Sequence, residues 1–151
     1  MMFAKSLAIL ASAALAAAEL HIVWFDNRCG NGEPVIVQNG EQLSSGDYSY
    51  IFRGPATAAS AFLQDGSCGA AGENCTLVEF TLVDGVNSAD ISLIEPHTFS
   101  QSVGFAYSNG CDGEGKTCAS ADCPEAFHDA DDFDAEVQCA RNDVNLNITF
   151  C

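Results

Sequence analysis

Two short segments of the chain alternate between apolar and polar residues. Residues 78–82, VEFTL, and residues 90–93, DISL, show the period of two that is typical of half-buried β-strands. The intervening residues 83–89, VDGVNSA, contain turn-forming pairs. Each segment carries one carboxylate, Glu79 or Asp90, on the face opposite its apolar side chains. The pattern therefore predicts two strands, each with an acid on the face away from the core.

Further segments with the composition of strands occur along the whole chain. They are residues 20–25, 34–38, 48–52, 56–63, 99–107, 136–139 and 144–151. Turn-forming residues separate them, and we predict polar loops at residues 42–47 and 108–123. The last segment, VNLNITFC, alternates most regularly, so we expect it at the half-buried edge of an antiparallel sheet. Together these patterns predict an all-β sandwich or barrel in one domain.

Residues 1–18 have the composition of a secretory signal peptide. Lys5 precedes an apolar run over residues 7–18 that is too short to span a bilayer, and three alanines precede Glu19. We therefore predict cleavage before Glu19 and a mature domain over residues 19–151. The mature protein is expected to be secreted to the extracellular space or cell wall, without membrane attachment.

The chain is strongly acidic, with a formal net charge of −16. Binding to phosphate groups needs clustered lysine and arginine, so neither nucleic acid nor an anionic membrane is predicted as a partner. Neutral polymers, cationic proteins and metal cations remain open. An acidic surface can also serve solubility alone. We expect a monomer.

All eight cysteines follow residue 18, which predicts four disulfides formed in an oxidising compartment. Spacing alone leaves the pairing open, although Cys68 and Cys75 are close enough for a local bridge. No C-x-x-C pair occurs, and the three histidines His21, His97 and His128 stand apart from the cysteines. We therefore predict neither a metal site nor a cofactor.

Two sequons predict N-glycosylation at Asn74 and Asn147, with an unmodified asparagine as the open alternative at each. An acidic run over residues 128–136, HDADDFDAE, invites a calcium interpretation. It lacks the glycine at loop position six and the terminal glutamate of an EF-hand. A solvated acidic loop is the prediction there.

Several motifs recur in the order known from one family. They are HIVWFDNRC, GEQLSSGD, TLVEFTL, ADISLI, GCDGEGKTCASADCP and the terminal NLNITFC. In these motifs the chain resembles the thaumatin-like proteins, and above all their short fungal members, some of which are labelled glycopeptides. The resemblance covers essentially all of residues 19–151. It implies a disulfide-stapled thaumatin-like antiparallel β-sandwich that lacks the second cysteine-rich domain, in whose place only residues 124–137 stand.

The resemblance also implies how the cysteines pair. Carried over by position, the family's bridges are Cys29–Cys151, Cys68–Cys75, Cys111–Cys139 and Cys118–Cys123. The first would join the first strand to the last.

A binding cleft follows from the same resemblance. Thaumatin-like proteins have an acidic cleft proposed to bind β-1,3-glucan, lined by an arginine and several carboxylates. Glu79 and Asp90 stand at matching positions, and Glu95 replaces an aspartate. Strand parity places Glu95 on the opposite face from Asp90 unless the chain bends before Pro96. The arginine is missing, because residues 61–68 read AFLQDGSC.

Acids in a groove can accept hydrogen bonds from sugar hydroxyls, and Trp24, Phe62 or Tyr107 could stack on sugar rings. Hydrolysis would also need one protonated and one ionised carboxyl, about 5–5.5 Å apart for retention or about 6.5–9.5 Å apart for inversion. An open groove desolvates poorly, so we expect only a small separation between the two pKa values.

These inferences predict a protein that binds β-1,3-glucan, or a related cell-wall polysaccharide, through Glu79, Asp90 and Glu95. Two alternatives stay open. One is a weak endo-β-1,3-glucanase with Glu79 and Asp90 as its catalytic pair. The other is a defence, antifungal or effector-type protein without carbohydrate activity.

Overall fold

Eleven β-strands and one short 3₁₀ helix form the regular structure of residues 19–151, the part of the chain that this computed structural model describes. The predicted signal peptide lies outside the described residues. The strands are β1 (Leu20–Asn27), β2 (Glu33–Gln38), β3 (Glu41–Ser45), β4 (Ser49–Arg53), β5 (Ala56–Gln64), β6 (Leu77–Leu82), β7 (Asn87–Ser92), β8 (Val103–Ser108), β9 (Gly115–Cys118), β10 (Val137–Cys139) and β11 (Asn145–Phe150). The 3₁₀ helix is Phe133–Ala135.

The strands form two sheets. The five-stranded sheet has the order β4-β1-β11-β8-β9, and the six-stranded sheet has the order β10-β7-β6-β5-β2-β3. Buried apolar side chains from both sheets pack into a common core, as in a β-sandwich. The predicted all-β, disulfide-stapled sandwich is confirmed.

The carboxy-terminal strand is an interior strand of its sheet. β11 pairs with β8 in the antiparallel sense and with β1 in the parallel sense, with Val23 opposite Leu146. The expectation of an edge strand in a purely antiparallel sheet is therefore wrong. Alternation shows that the two faces of a strand differ in burial, but it carries no information on how many neighbours the strand has. The edges of this sheet are β4 and β9.

Two strands fall in segments that were predicted to be loops. β3 is a largely polar edge strand that forms a hairpin with β2 through Asn39-Gly40, where both residues have positive φ angles, 53° and 76°. β9 is an edge strand paired only with β8. An edge strand has a hydrogen-bonded neighbour on one side only, and its other side faces solvent. Its composition therefore stays polar and resembles that of a loop. The turn before β7 is also shorter than predicted, because β7 already begins at Asn87.

A second, smaller apolar cluster lies on the outer face of the six-stranded sheet. It contains Val35, Val37, Phe62 and Leu77, and Cys68 packs against it. The loop closed by the Cys68–Cys75 bridge covers this part of the face. The remainder of the outer face, toward β7 and β10, carries polar side chains.

Four disulfides join Cys29 to Cys151, Cys68 to Cys75, Cys111 to Cys139 and Cys118 to Cys123. These are the pairs that the family resemblance implies. Cys29–Cys151 closes the ends of the parallel pair β1 and β11, and Cys111–Cys139 ties β10 to the loop after β8. Over residues 19–151 we find no helix with the length and apolar character that a membrane crossing requires.

Candidate functional site

Glu79 and Asp90 lie directly opposite each other on neighbouring strands. In the ladder between β6 and β7, Glu79 pairs with Asp90, and Ser60 of β5 pairs with Glu79 on the other side. All three side chains point away from the core, because their neighbours Val78, Phe80 and Ile91 are buried within it. Glu79 is exposed and Asp90 is half-buried. The structure thus brings the two predicted acids together.

A third acid, Glu136, continues this row on the other side of Asp90. β10 pairs with β7 so that Gln138 is opposite Ser88. Continuing that antiparallel register by two residues places Glu136 opposite Asp90. We call Glu79, Asp90 and Glu136 the acidic row. The sequence analysis missed Glu136, although its position two residues before Gln138 on a predicted strand was the available signal.

Asp90 is the acid whose proton affinity changes most in this row. Burial raises the pKa of its carboxyl to about 7, and the negative charges of Glu79 and Glu136 act in the same direction. Its Oδ1 atom is buried and has no hydrogen-bond partner. The expectation that an open groove desolvates its acids poorly is therefore wrong for Asp90. The carboxyl lies on a strand flanked by β6 and β10, and that position desolvates it.

No cation balances the acidic row within residues 19–151. The described ion pairs are Arg28 with Asp26 and His21 with Glu19. Gln64 stands near the place of the missing arginine, on the segment before Cys68. Its side chain donates to the Cys68 carbonyl at 3.1 Å and accepts from the Gly66 amide at 2.8 Å, so it orders the loop.

A shallow concavity adjoins the acidic row at its β10 end. Its volume is about 230 Å³, and Glu136, Ser88 and Gln138 are among the residues that line it. The Gln138 amide donates to Glu136 Oε1 at 2.6 Å, which holds that carboxylate in place. Hydroxyl, amide and carboxyl groups therefore share one surface beside the row.

The segment before β10 forms a further border of this surface. The Phe127 amide donates to the Ile91 carbonyl, and the Phe127 carbonyl accepts from the Leu93 amide, both at 2.8 Å. This segment therefore extends the sheet beside the second half of β7. Together with the 3₁₀ helix it borders a larger concavity of about 460 Å³, lined by His128, Phe133 and several aspartates rather than by Glu79 or Asp90.

Glu95 stands apart from the strand pairing that aligns the row. It is exposed in a turn beyond the end of β7, where the His97 amide donates to the Ile94 carbonyl. The charges that raise the pKa of Asp90 come from Glu79 and Glu136, and Glu95 is not among them. Its participation in the site stays a prediction.

The aromatic residues predicted to stack on sugars do not meet at the acidic row. Phe62 and Tyr107 are each 1% exposed, and the Tyr107 hydroxyl donates to the Val137 carbonyl at 3.0 Å. Trp24 is 46% exposed, but it belongs to the other sheet. Phe133, 72% exposed, is the exposed aromatic side chain on the segment that borders the row, where Phe127 is half-buried.

The acidic run near residue 132 organises its own loop. Asp132 Oδ2 accepts from the amides of Asp129 and His128, both at 2.9 Å, and these hydrogen bonds lower the pKa of Asp132.

The two sequon residues differ in setting. Asn74 is exposed, whereas Asn147 is half-buried on β11. Their glycosylation stays a prediction.

The row can both accept and donate hydrogen bonds. A carboxyl with a pKa of about 7 is mostly protonated at acidic pH, where Asp90 can donate to a hydroxyl oxygen. The flanking carboxylates of Glu79 and Glu136 accept from hydroxyl hydrogens. Such an alternation fits a polyhydroxylated, uncharged ligand and repels an anionic one.

The chain is similar in sequence to two curated proteins from Avena sativa. It is 31% identical over 85 residues to thaumatin-like pathogenesis-related protein 4, a match that covers 56% of this chain and 46% of that protein. It is 34% identical over 85 residues to thaumatin-like pathogenesis-related protein 2, with the same coverage of 56% and 46%. The chain thus spans about half the length of the curated relatives it matches. No family model matches the sequence.

The fold is similar to a solved structure, that of a thaumatin-like xylanase inhibitor. The TM-score is 0.55 at 16% sequence identity, and the match covers 87% of this chain and 98% of the inhibitor. At that identity the likeness concerns the fold alone. It agrees with the sequence matches and with the resemblance inferred from the motifs.

Proposed function

We propose, from the premise that this chain is a thaumatin-like protein, that it binds β-1,3-glucan or a related cell-wall polysaccharide at the acidic row. The observation that carries the proposal is the place of the half-buried Asp90 carboxyl between Glu79 and Glu136, where its pKa is raised to about 7. Sugar hydroxyls both donate and accept hydrogen bonds, so they can bind to a protonated carboxyl that lies between two carboxylates.

Several features support a secreted protein with a role at a cell wall. Four disulfides are typical of proteins from oxidising compartments. The similar proteins carry the descriptions "pathogenesis-related" and "xylanase inhibitor". A defence-type role agrees with these descriptions, and the polysaccharide ligand is proposed from the residues of the row alone.

A pull-down on insoluble β-1,3-glucan tests the proposal. The wild type should be retained, and Glu79→Gln, Asp90→Ala and Glu136→Gln should each reduce retention several-fold, because each removes a carboxylate acceptor or the hydrogen-bonding carboxyl of Asp90. Glu41→Gln is the matched control, since Glu41 is exposed on β3 at the far edge of the same sheet. Absence of wild-type retention, or equal loss in the Glu41 variant, ends the proposal.

Hydrolysis is the second candidate, and the pairing of Glu79 with Asp90 favours it. Directly opposite residues have Cβ atoms about 4.5–5.5 Å apart, so both carboxyl groups stand on one patch of the sheet, as a catalytic pair of carboxyls requires. A raised pKa also suits Asp90 to a general acid. Release of reducing sugar from a soluble β-1,3-glucan should then disappear in Asp90→Asn. Activity that survives in this variant excludes Asp90 as the acid.

A further inference from the structure

The most buried histidine of the chain offers an unused nitrogen. His21 is 0% exposed, and its Nδ1 lies 2.7 Å from the Val144 carbonyl oxygen. A carbonyl only accepts hydrogen bonds, so Nδ1 must carry the ring proton in the neutral imidazole. The other nitrogen, Nε2, then presents a lone pair. It is buried and has no hydrogen-bond partner.

Two carboxylates converge on this nitrogen. Glu19 Oε2 is 3.5 Å from His21 Nε2, and Asp84 supplies a second carboxylate. One ligand atom from each of the three residues lies within 4.8 Å of the other two. Glu19 immediately precedes β1, whereas Asp84 lies in the turn between β6 and β7, so the fold alone brings them together.

Backbone hydrogen bonds hold this arrangement in place. The Asp84 amide donates to Glu19 Oε2 at 2.8 Å, and the Asp143 amide donates to Asp84 Oδ1 at 2.7 Å. The Leu20 amide donates to Asp143 Oδ1 at 3.1 Å. These contacts leave further lone pairs on both carboxylates, and they fix three chain segments around the imidazole.

We propose that His21 Nε2, Glu19 and Asp84 bind one divalent transition-metal ion of the Zn²⁺ class. Imidazole with two carboxylates is a donor set that Zn²⁺ accepts, and a hydrogen bond from the second ring nitrogen to a carbonyl is the usual support of such a ligand. The bound cation would neutralise the two carboxylates, in a chain whose net charge of −16 attracts cations.

The distances fit this coordination. Ligand atoms at about 2.0–2.1 Å from a tetrahedral Zn²⁺ lie roughly 3.3 Å from one another. The contact of 3.5 Å between His21 Nε2 and Glu19 Oε2 is already close to that value. The exposed Asp84 side chain must approach further, while its Oδ1 keeps the hydrogen bond from the Asp143 amide. A water molecule would complete the tetrahedron.

Calorimetric titration with ZnCl₂ at physiological ionic strength tests the site. We expect one ion per chain, with affinity lowered about tenfold or more in Glu19→Gln and in Asp84→Asn. Both substitutions keep the side-chain shape and an oxygen that can accept the existing backbone hydrogen bond. Glu41→Gln and Asp129→Asn are matched controls and should leave the affinity unchanged.

Nitrogen NMR of the imidazole rings gives a second readout, which tests His21 without replacing it. Zn²⁺ should shift the His21 Nε2 resonance, while His97 and His128 serve as internal controls, since neither ring belongs to the cluster with Glu19 and Asp84. Several weak ions per chain, affinities unchanged in Glu19→Gln and Asp84→Asn, or a His21 resonance that does not respond would each overturn the proposal.

Discussion

Asp90 is the residue on which the acidic row depends. Its neighbours along β7, Ala89 and Ile91, are 0% exposed, so its carboxyl stands on a firmly packed strand. Glu79 on one side and Glu136 on the other add negative charge, and no described basic residue relieves it. Protonation of Asp90 is the remaining way to lower that repulsion.

The raised pKa of Asp90 predicts how stability depends on pH. Between the ordinary aspartate value of 3.8 and about 7, the folded state keeps a proton that the unfolded state loses. The stability that this proton provides is complete below pH 3.8 and is lost as the pH rises through 7, with a total on the order of 4 kcal/mol. Asp90→Asn stays neutral and should avoid this loss.

Urea unfolding of both proteins between pH 4 and pH 8 measures this difference. The free energy of unfolding of Asp90→Asn should exceed that of the wild type increasingly as the pH rises. Parallel curves across the whole range would contradict a raised pKa at Asp90.

Membership of the acidic row can be tested one residue at a time. Glu79→Gln and Glu136→Gln should each lower the pKa of Asp90, because each removes a neighbouring negative charge. Glu95→Gln should leave it unchanged, since Glu95 stands outside the ladder. Carbon NMR titration of the Asp90 carboxyl measures the shift, and an equal response to all three variants would disprove the row.

At the scale of elements, the position of β10 creates the site and the position of β11 closes the fold. β10 is only three residues long, yet its pairing with β7 aligns Glu136 with Asp90. β11 lies between β1 and β8, so both termini of the described chain meet in one sheet. The Cys29–Cys151 bridge joins residues separated by 122 positions at this point.

That bridge should contribute more to stability than a local one. In the chain-entropy model, a closure of 122 residues is worth about 5 kcal/mol, whereas the Cys118–Cys123 closure, with a separation of 5, is worth about 2 kcal/mol. Replacing both cysteines of each bridge by serine and measuring guanidinium unfolding compares them. An equal loss of unfolding free energy in the two double variants would contradict this ranking.

The sequence analysis was most successful where alternation was strong. The strands carrying Glu79 and Asp90 were predicted because their apolar residues mark an inner face. The chain turns after β7, so Glu95 lies outside the ladder, and its place in the site stays a prediction. β3 and β9 were missed because edge strands have polar composition. Local patterns do not encode tertiary register. They therefore could not predict the parallel pairing of β11 with β1, the place of Glu136 beside Asp90, or that of Asp84 beside Glu19.

At the scale of the whole molecule, charge limits the choice of partner. A net charge of −16 repels nucleic acids and anionic polymers. A neutral polysaccharide is neither attracted nor repelled by this charge. A cationic protein partner would be attracted over distances comparable to the Debye length.

Salt therefore separates the two classes of partner. If the ligand is a neutral glucan, retention should stay nearly constant between about 0.05 M and 0.5 M NaCl, because screening acts on interactions between charges. Retention on insoluble glucan measured across this range is the test. A steep fall with salt would point to a cationic protein or contaminant instead of the polysaccharide.

NMR mapping with a soluble β-1,3-linked glucose oligomer is the decisive test of whether the acidic row binds the ligand. Backbone amide shifts should cluster around Glu79, Asp90 and Gln138, and should weaken in Asp90→Ala. A spectrum that does not change at high oligomer concentration would contradict the account. So would shifts confined to the outer face of the other sheet, around Trp24 and Asn147.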